Sequence, residues 1–150
     1  MIELRRVCRE DLPQIAAIER TCFSAPWDEN ILAVQLGAGY VFLAAAEQKQ
    51  ILGYVGMQYV LDEGYISNVA VSPEHRRRGI AGLLLTRLHG IAEELGLAFV
   101  SLEVRASNEP AIALYEKYGY TQTGRRKNYY VRPREDALIM TRCRKNEAGF

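Results

Sequence analysis

Cysteine is scarce in this sequence. Its three copies, Cys8, Cys22 and Cys143, are odd in number and lack Cys-x-x-Cys spacing, which argues against a disulfide framework and against a structural zinc site. Neither sign of charge is in excess. With 19 Lys and Arg against 18 Asp and Glu the net charge is +1, so nothing global directs the chain to nucleic acid or to an anionic membrane. No uncharged apolar run approaches the roughly 20 residues of a membrane span. The opening Met-Ile-Glu-Leu-Arg-Arg is followed by no apolar stretch and no small-residue cleavage site, so a cytoplasmic location is expected. Histidine occurs only as His75 and His89, and no cysteine has an evident histidine partner for nucleophilic catalysis. Two phosphate-binding signatures are also missing: Gly-x-Gly-x-x-Gly after a first strand, and Gly-Lys-Ser/Thr in a loop.

What is present is the composition of one globular domain, 49% apolar and 25% charged over 150 residues, long enough to bury its own core. A single domain over 1–150 is expected, with 144–150 as a flexible tail. Ile2 to Val7 alternates as a short strand. Asp11, Pro13 and Gln14 then mark a helix start, with Asp11 as cap and Ile15, Ile18, Glu19 and Cys22 at helical spacing, the apolar members giving a core face. Pro26-Trp-Asp28 interrupts that helix and caps a second over Glu29 to Leu36, ended by Gly37 and Gly39. Three strands follow, Tyr40 to Ala46, Ile51 to Tyr59 and Tyr65 to Val71, the first two joined as a hairpin at Lys49-Gln50. A long amphipathic helix runs from Gly79 to near Gly96. A strand from Phe99 to Val104, a short helix from Asn108 to Tyr118, and final strands after Tyr120 and over Ala137 to Thr141 complete an α/β chain with one mixed central sheet and flanking helices.

The run Val69-Ala-Val-Ser-Pro-Glu-His-Arg-Arg-Arg-Gly-Ile-Ala-Gly82 reads as a buried strand feeding a basic loop that opens a helix. Free backbone N–H groups and positive charge at such a helix start suit a pyrophosphate. A solvated helix start is the simpler alternative, but cations there oppose the helix dipole unless an anion neutralises them.

Arg76-Arg-Arg-Gly-Ile-Ala81 resembles the Gln/Arg-x-x-Gly-x-Gly/Ala signature of the Gcn5-related N-acetyltransferase superfamily. The segments Leu102 to Tyr120, Arg126-Lys-Asn-Tyr-Tyr130, Arg134-Glu-Asp-Ala137, Ala25-Pro-Trp27 and Val60-Leu-Asp-Glu63 resemble the bacterial ribosomal-protein alanine N-acetyltransferase group. The resemblance implies an acyl-CoA N-acyltransferase fold, in which acetyl-coenzyme A lies along a splayed pair of parallel strands. It implies cofactor contacts from Val69, Ala70 and Val71, from Arg77, Arg78, Gly79, Ile80, Ala81 and Gly82, and from Asn108, which also suits a helix cap. It further implies Glu103 as proton acceptor and Tyr115 as proton donor to the departing thiolate, with no metal. Glu103 shares a strand face with Ser101 and Arg105, so an ion pair with Arg105 is its plain structural reading; for Tyr115 that reading is a core aromatic with a rim hydroxyl.

Amine chemistry narrows the acceptor. Near pH 7 roughly one α-amine in ten is neutral but only about one lysine in a few thousand, a difference of roughly 3 to 4 kcal/mol in deprotonation work. A carboxylate such as Glu103 is a weak base unless burial or an ordered water assists it, and so suits an α-amine better than lysine. The expected reaction is acetylation of a protein N-terminus, with the resemblance pointing to the N-terminal alanine of a small-subunit ribosomal protein. Acetylation of another primary amine, on lysine or a small metabolite, and a non-catalytic acetyl-coenzyme A sensor are the alternatives. Direct contact with nucleic acid or membrane is not expected. Tyr129 and Tyr130 are candidates for one wall of an acceptor groove opposite Trp27, and Asp62, Glu63 or Asp136 for attracting a basic peptide.

Overall fold

The structure is a computed structural model in which residues 1–144 are described. Its strands are β1 (Glu3–Arg6), β2 (Tyr40–Glu47), β3 (Gln50–Val60), β4 (Glu63–Val71), β5 (Phe99–Arg105), β6 (Thr121–Val131) and β7 (Arg134–Cys143). Its helices are α1 (Leu12–Cys22), α2 (Glu29–Ala33), α3 (Ile80–Glu94) and α4 (Glu109–Lys117). The strands form one sheet in the order β1-β2-β3-β4-β5-β7-β6. Every neighbouring pair is antiparallel except β4 and β5, which are parallel.

Helices cover both faces, which is why β2 and β3 are apolar almost throughout rather than alternating. On one face α3 and α4 pack Leu84, Leu85, Leu88 and Tyr115 against Val41, Leu43, Val55, Met57 and Leu102. On the other, α1 and α2 pack Leu12, Ile15, Ile18 and Leu32 against Phe42, Ala44, Ile51 and Tyr54. The edge strand β6 is mostly exposed and carries Arg125, Arg126 and Lys127, charge of the kind that keeps an open edge from pairing with another chain.

Two residues expected to serve the first turn of α1 are used over longer range. The Asp11 carboxylate turns back to the Arg5 guanidinium at 2.7 and 2.9 Å and to the Cys8 N–H at 2.9 Å, tying β1 to the helix. That guanidinium holds the Asp11 carboxyl well below its usual range, at about 2. The Gln14 side chain accepts from the Ile51 N–H at 2.8 Å and donates to the Lys49 carbonyl at 3.0 Å, fastening α1 to the β2–β3 hairpin. Asp28 does cap α2, accepting from the Ile31 N–H at 2.9 Å. The expected helix to Leu36 ends at Ala33 and tightens into a 3-10 turn over Val34–Leu36.

After β7 the Arg144 N–H donates to the Ala98 carbonyl at 2.8 Å; the rest of the expected tail, 145–150, lies outside the described residues. Among the described residues no helix is long and apolar enough to cross a membrane.

Candidate active site

The parallel pair is joined for only three registers, Glu63 with Phe99, Gly64 with Val100 and Tyr65 with Ser101. Beyond Tyr65 the β3–β4 register slips between Gly56 and Met57. That irregularity sets an extra residue into β4 and bends it away from β5. From there β4 runs on to Val71 and β5 to Arg105 with no ladder between them. The result is a slot of about 500 Å³ between the diverging strands. On its β5 side, the backbone N–H and C=O groups of β4 lack a strand partner and are open to an extended ligand.

The slot passes through the sheet. Leu102 and Val104 of β5 and Val69 and Val71 of β4 belong to the side covered by α3 and α4. Strand alternation sends Glu103 to the opposite face. Ala70 is packed there with α1, and Asn68 bonds Glu19 of α1 on that face too.

On the α3 side, Gly79 adopts a left-handed φ of +74° as the residue before the helix, a conformation that favours glycine. The first intrahelical bond runs from the Leu83 N–H to the Gly79 carbonyl at 3.1 Å. The N–H groups of Ile80, Ala81 and Gly82 therefore point outward without intrahelical partners, and the first turn carries no acidic residue. A Cβ at Gly82 would fall 2.0 Å from the Tyr118 hydroxyl oxygen, so the helix start is packed tightly on α4's end. The three arginines have separate fates. Arg78 bonds both Glu47 oxygens at 3.2 Å, and its guanidinium also lies 3.3 Å from His75 Nδ1. Arg76 reaches the Cys22 sulfur at 3.5 Å. The Arg77 side chain has no partner among the described residues, on a residue whose own φ is +68°. Asn108 caps α4 by accepting from the Ala111 N–H at 3.3 Å and lines the slot with its neighbour Ala111.

Tyr115 projects from α4 into the slot and is only 7% exposed. Its ring packs edge-on against Tyr120 at 5.7 Å. Burial pushes its phenol well above the ordinary value, with Tyr130 adding to the effect. The Tyr115 hydroxyl makes no hydrogen bond among the described residues. Tyr120 is in turn bonded to His89 Nε2 at 2.7 Å, and burial pulls that imidazole down to about 4.

On the other face, Glu103 is not paired with Arg105. Its Oε2 lies 2.5 Å from Arg126 Nε, and its Oε1 accepts from the Tyr129 hydroxyl at 3.3 Å. Arg105 instead bonds Glu135 at 3.4 Å and the Pro133 carbonyl at 2.9 Å, with its guanidinium 4.3 Å from the centre of the Tyr130 ring. Tyr130 is pushed up to about 12, first by burial and then by Glu103. Tyr129 and Tyr130 line the slot from β6, and Trp27 lines it from the α1–α2 connection. The acidic residues expected to attract a basic peptide do not line it. Asp62 and Glu63 lie where β4 and β5 are still paired, and Asp136 is occupied by Arg125 at 2.7 Å and the Asn128 N–H at 2.9 Å.

Two slot residues, Glu19 and Asn68, were not among the expected site positions. Glu19 is 1% exposed on α1. Its carboxylate accepts from the Trp27 N–H at 2.9 Å, from Asn68 Nδ2 at 2.7 Å and from the Tyr54 hydroxyl. The available signals were a carboxylate on the apolar face of an amphipathic helix and an asparagine in an apolar strand, both costly unless partnered.

The acetyltransferase (GNAT) family model matches residues 12–120. The [ribosomal protein bS18]-alanine N-acetyltransferase of Escherichia coli (strain K12) is 39% identical over 132 residues, covering 87% of this chain and 89% of that protein. The crystal structure of the ribosomal-protein-S18-alanine N-acetyltransferase from Escherichia coli superposes with a TM-score of 0.90 at 35% identity, over 100% of this chain and 99% of that one. Arabidopsis thaliana NAA60 in complex with acetyl-CoA shares the fold, with a TM-score of 0.86 at 22% identity over 95% and 98% of the two chains. A parallel pair splayed beside a glycine-led helix start, a family match over most of the chain and these relatives agree: the chain belongs to the acetyltransferase (GNAT) family.

Proposed function

We propose that the protein transfers the acetyl group of acetyl-coenzyme A to the N-terminal α-amine of a protein, namely the N-terminal alanine of a small-subunit ribosomal protein of the bS18 type. The observation that carries this reading is the slot through the sheet, with a carboxylate, Glu103, on one face and a protonated phenol, Tyr115, reached from the other. The substrate assignment draws on the E. coli relative, similar over most of both chains. The fit to the cofactor is structural: three outward N–H groups at Ile80, Ala81 and Gly82 suit a pyrophosphate, and the open edge of β4 at Val69, Ala70 and Val71 suits an extended amide chain. Arg77 supplies an unengaged cation, Arg78 contributes through its backbone, and Asn108 offers the amide N–H₂ left over from its capping bond.

Bound acetyl-coenzyme A supplies the thioester carbonyl. Glu103 accepts a proton from the acceptor nitrogen, directly or through one water, as the C–N bond forms. Tyr115 gives its proton to the sulfur as the C–S bond breaks. Arg126 and Tyr129 hold the Glu103 carboxylate in place. No residue is acylated, and proximity of amine and carbonyl in one complex carries much of the acceleration. A cytoplasmic setting follows from such an acceptor.

Initial rates of thiol release should be measured on a basic peptide bearing N-terminal alanine and an internal lysine, with mass mapping of the acetyl group. The expected product carries acetyl on the α-amine only, and the peptide with a blocked α-amine is inert. Turnover of small polyamines with an inert peptide would overturn the assignment of a protein acceptor.

A further inference from the structure

We infer that Asn68 is an acceptor-binding residue whose amide oxygen, oriented by the buried Glu19 carboxylate, takes a hydrogen bond from the incoming α-amine. The inference rests on the proposed N-terminal acetylation and adds to it a specific contact on the β4 wall of the slot.

Three observations converge on this side chain. Asn68 lines the slot at the point where β4 diverges from β5. Its Nδ2 donates to Glu19 Oε2 at 2.7 Å, and a carboxylate can only accept when ionised, so the amide is held nitrogen-inward. Its Oδ1 is thereby left pointing the other way, and it has no donor among the described residues. The anchor is firm. Glu19 is almost wholly buried and also holds the Trp27 N–H and the Tyr54 hydroxyl, so the acceptor wall at Trp27 and the β4 wall at Asn68 share one charged clamp. Burial and the neighbouring Glu19 charge keep the Tyr54 phenol protonated far above its ordinary range, which keeps it a donor to that clamp.

The chemistry of attack gives the free oxygen its purpose. A neutral primary amine has two N–H bonds and one lone pair, and the lone pair must face the thioester carbon. Glu103 on β5 can take one N–H. An acceptor on the facing strand, Asn68 Oδ1, takes the second and fixes the direction of the lone pair. Glu19 does not touch the amine; it is a positioning residue. In the Glu19→Gln side chain one oxygen becomes an NH₂ group that cannot accept, so at least one of the three donors loses its partner.

The test compares binding of an N-terminal-alanine peptide and its desamino analogue by titration calorimetry, each to the coenzyme A complex. Wild type should prefer the amino peptide by about tenfold, and Asn68→Ala should narrow that preference by about fivefold. Its coenzyme A affinity should stay within about twofold, since the side chain faces away from α3 and α4. Glu19→Gln should narrow the preference in the same direction, and the double variant should add little, because both act through one oxygen. A preference unchanged in Asn68→Ala, in protein with wild-type coenzyme A affinity, would overturn the inference. Additive losses in the double variant would overturn the orienting role of Glu19. If wild type neither binds nor acetylates any peptide, it is the proposed function that falls.

Discussion

Replacing Tyr115 by phenylalanine isolates a single proton. The ring is only 7% exposed and packs edge-on against Tyr120 at 5.7 Å, a contact that phenylalanine keeps. The hydroxyl has no partner to leave unsatisfied among the described residues, so stability should change by less than about 1 kcal/mol. Catalysis should change far more. A positioned acid contributes about 10²- to 10⁴-fold, and a thiolate, with a reference pKa near 8.5, is already a tolerable leaving group, so the lower end applies. The expected loss is about 100-fold in kcat, or about 2.7 kcal/mol of transition-state stabilisation, with the KM for acetyl-coenzyme A within about twofold. Initial-rate thiol release at saturating peptide, from pH 6 to 9, is the assay. Because burial raises the phenol above its ordinary value, wild type should show no alkaline loss of kcat in that range. A fall in kcat of less than about threefold would remove Tyr115 from the chemistry. So would a fall matched by an equal loss of cofactor affinity, which would make it a packing residue.

Gly82→Ala places a methyl 2.0 Å from the Tyr118 hydroxyl oxygen and should weaken coenzyme A binding by about tenfold through displacement of the helix start. Calorimetry should show partial recovery on adding Tyr118→Leu; no recovery would mean that the clash is absorbed elsewhere. His89, held neutral with its pKa at about 4, binds its proton more readily in the unfolded chain. Its contribution is therefore complete above about pH 6.5 and declines as pH falls toward 4, by about 3 kcal/mol. Denaturant titrations at pH 7.5 and 4.5 should show a smaller pH-dependent loss in His89→Gln than in wild type, and equal losses would refute this.

Local signals carried most of the secondary structure because they act within a few residues. Asp28 and Asn108 cap the helices that follow them, as expected, and Gly79 precedes α3 where the expected long helix begins. Of the residues that the family resemblance named, Glu103, Asn108 and Tyr115 are brought to one slot, and strand alternation set Glu103 apart from Leu102 and Val104. Partners distant in sequence were not legible. Glu103 finds Arg126 rather than Arg105, Arg78 finds Glu47, and Asp11 and Gln14 leave the helix start for Arg5 and the β2–β3 hairpin. In each case the winning interaction is charge-assisted or satisfies an otherwise open backbone group, and sequence spacing contains neither distance. The clamp at Glu19 joins α1, β3, β4 and the Trp27 segment, so it exists only once four separate stretches of chain have docked.

A passage that pierces the sheet has a mouth on each side, and that shapes the traffic through it. On the proposed function, the carrier enters and leaves beside α3 while the acceptor chain enters and leaves past Trp27 and Tyr129. The same layout rewards any single molecule long enough to occupy both mouths, since its second half binds at the high local concentration created by the first.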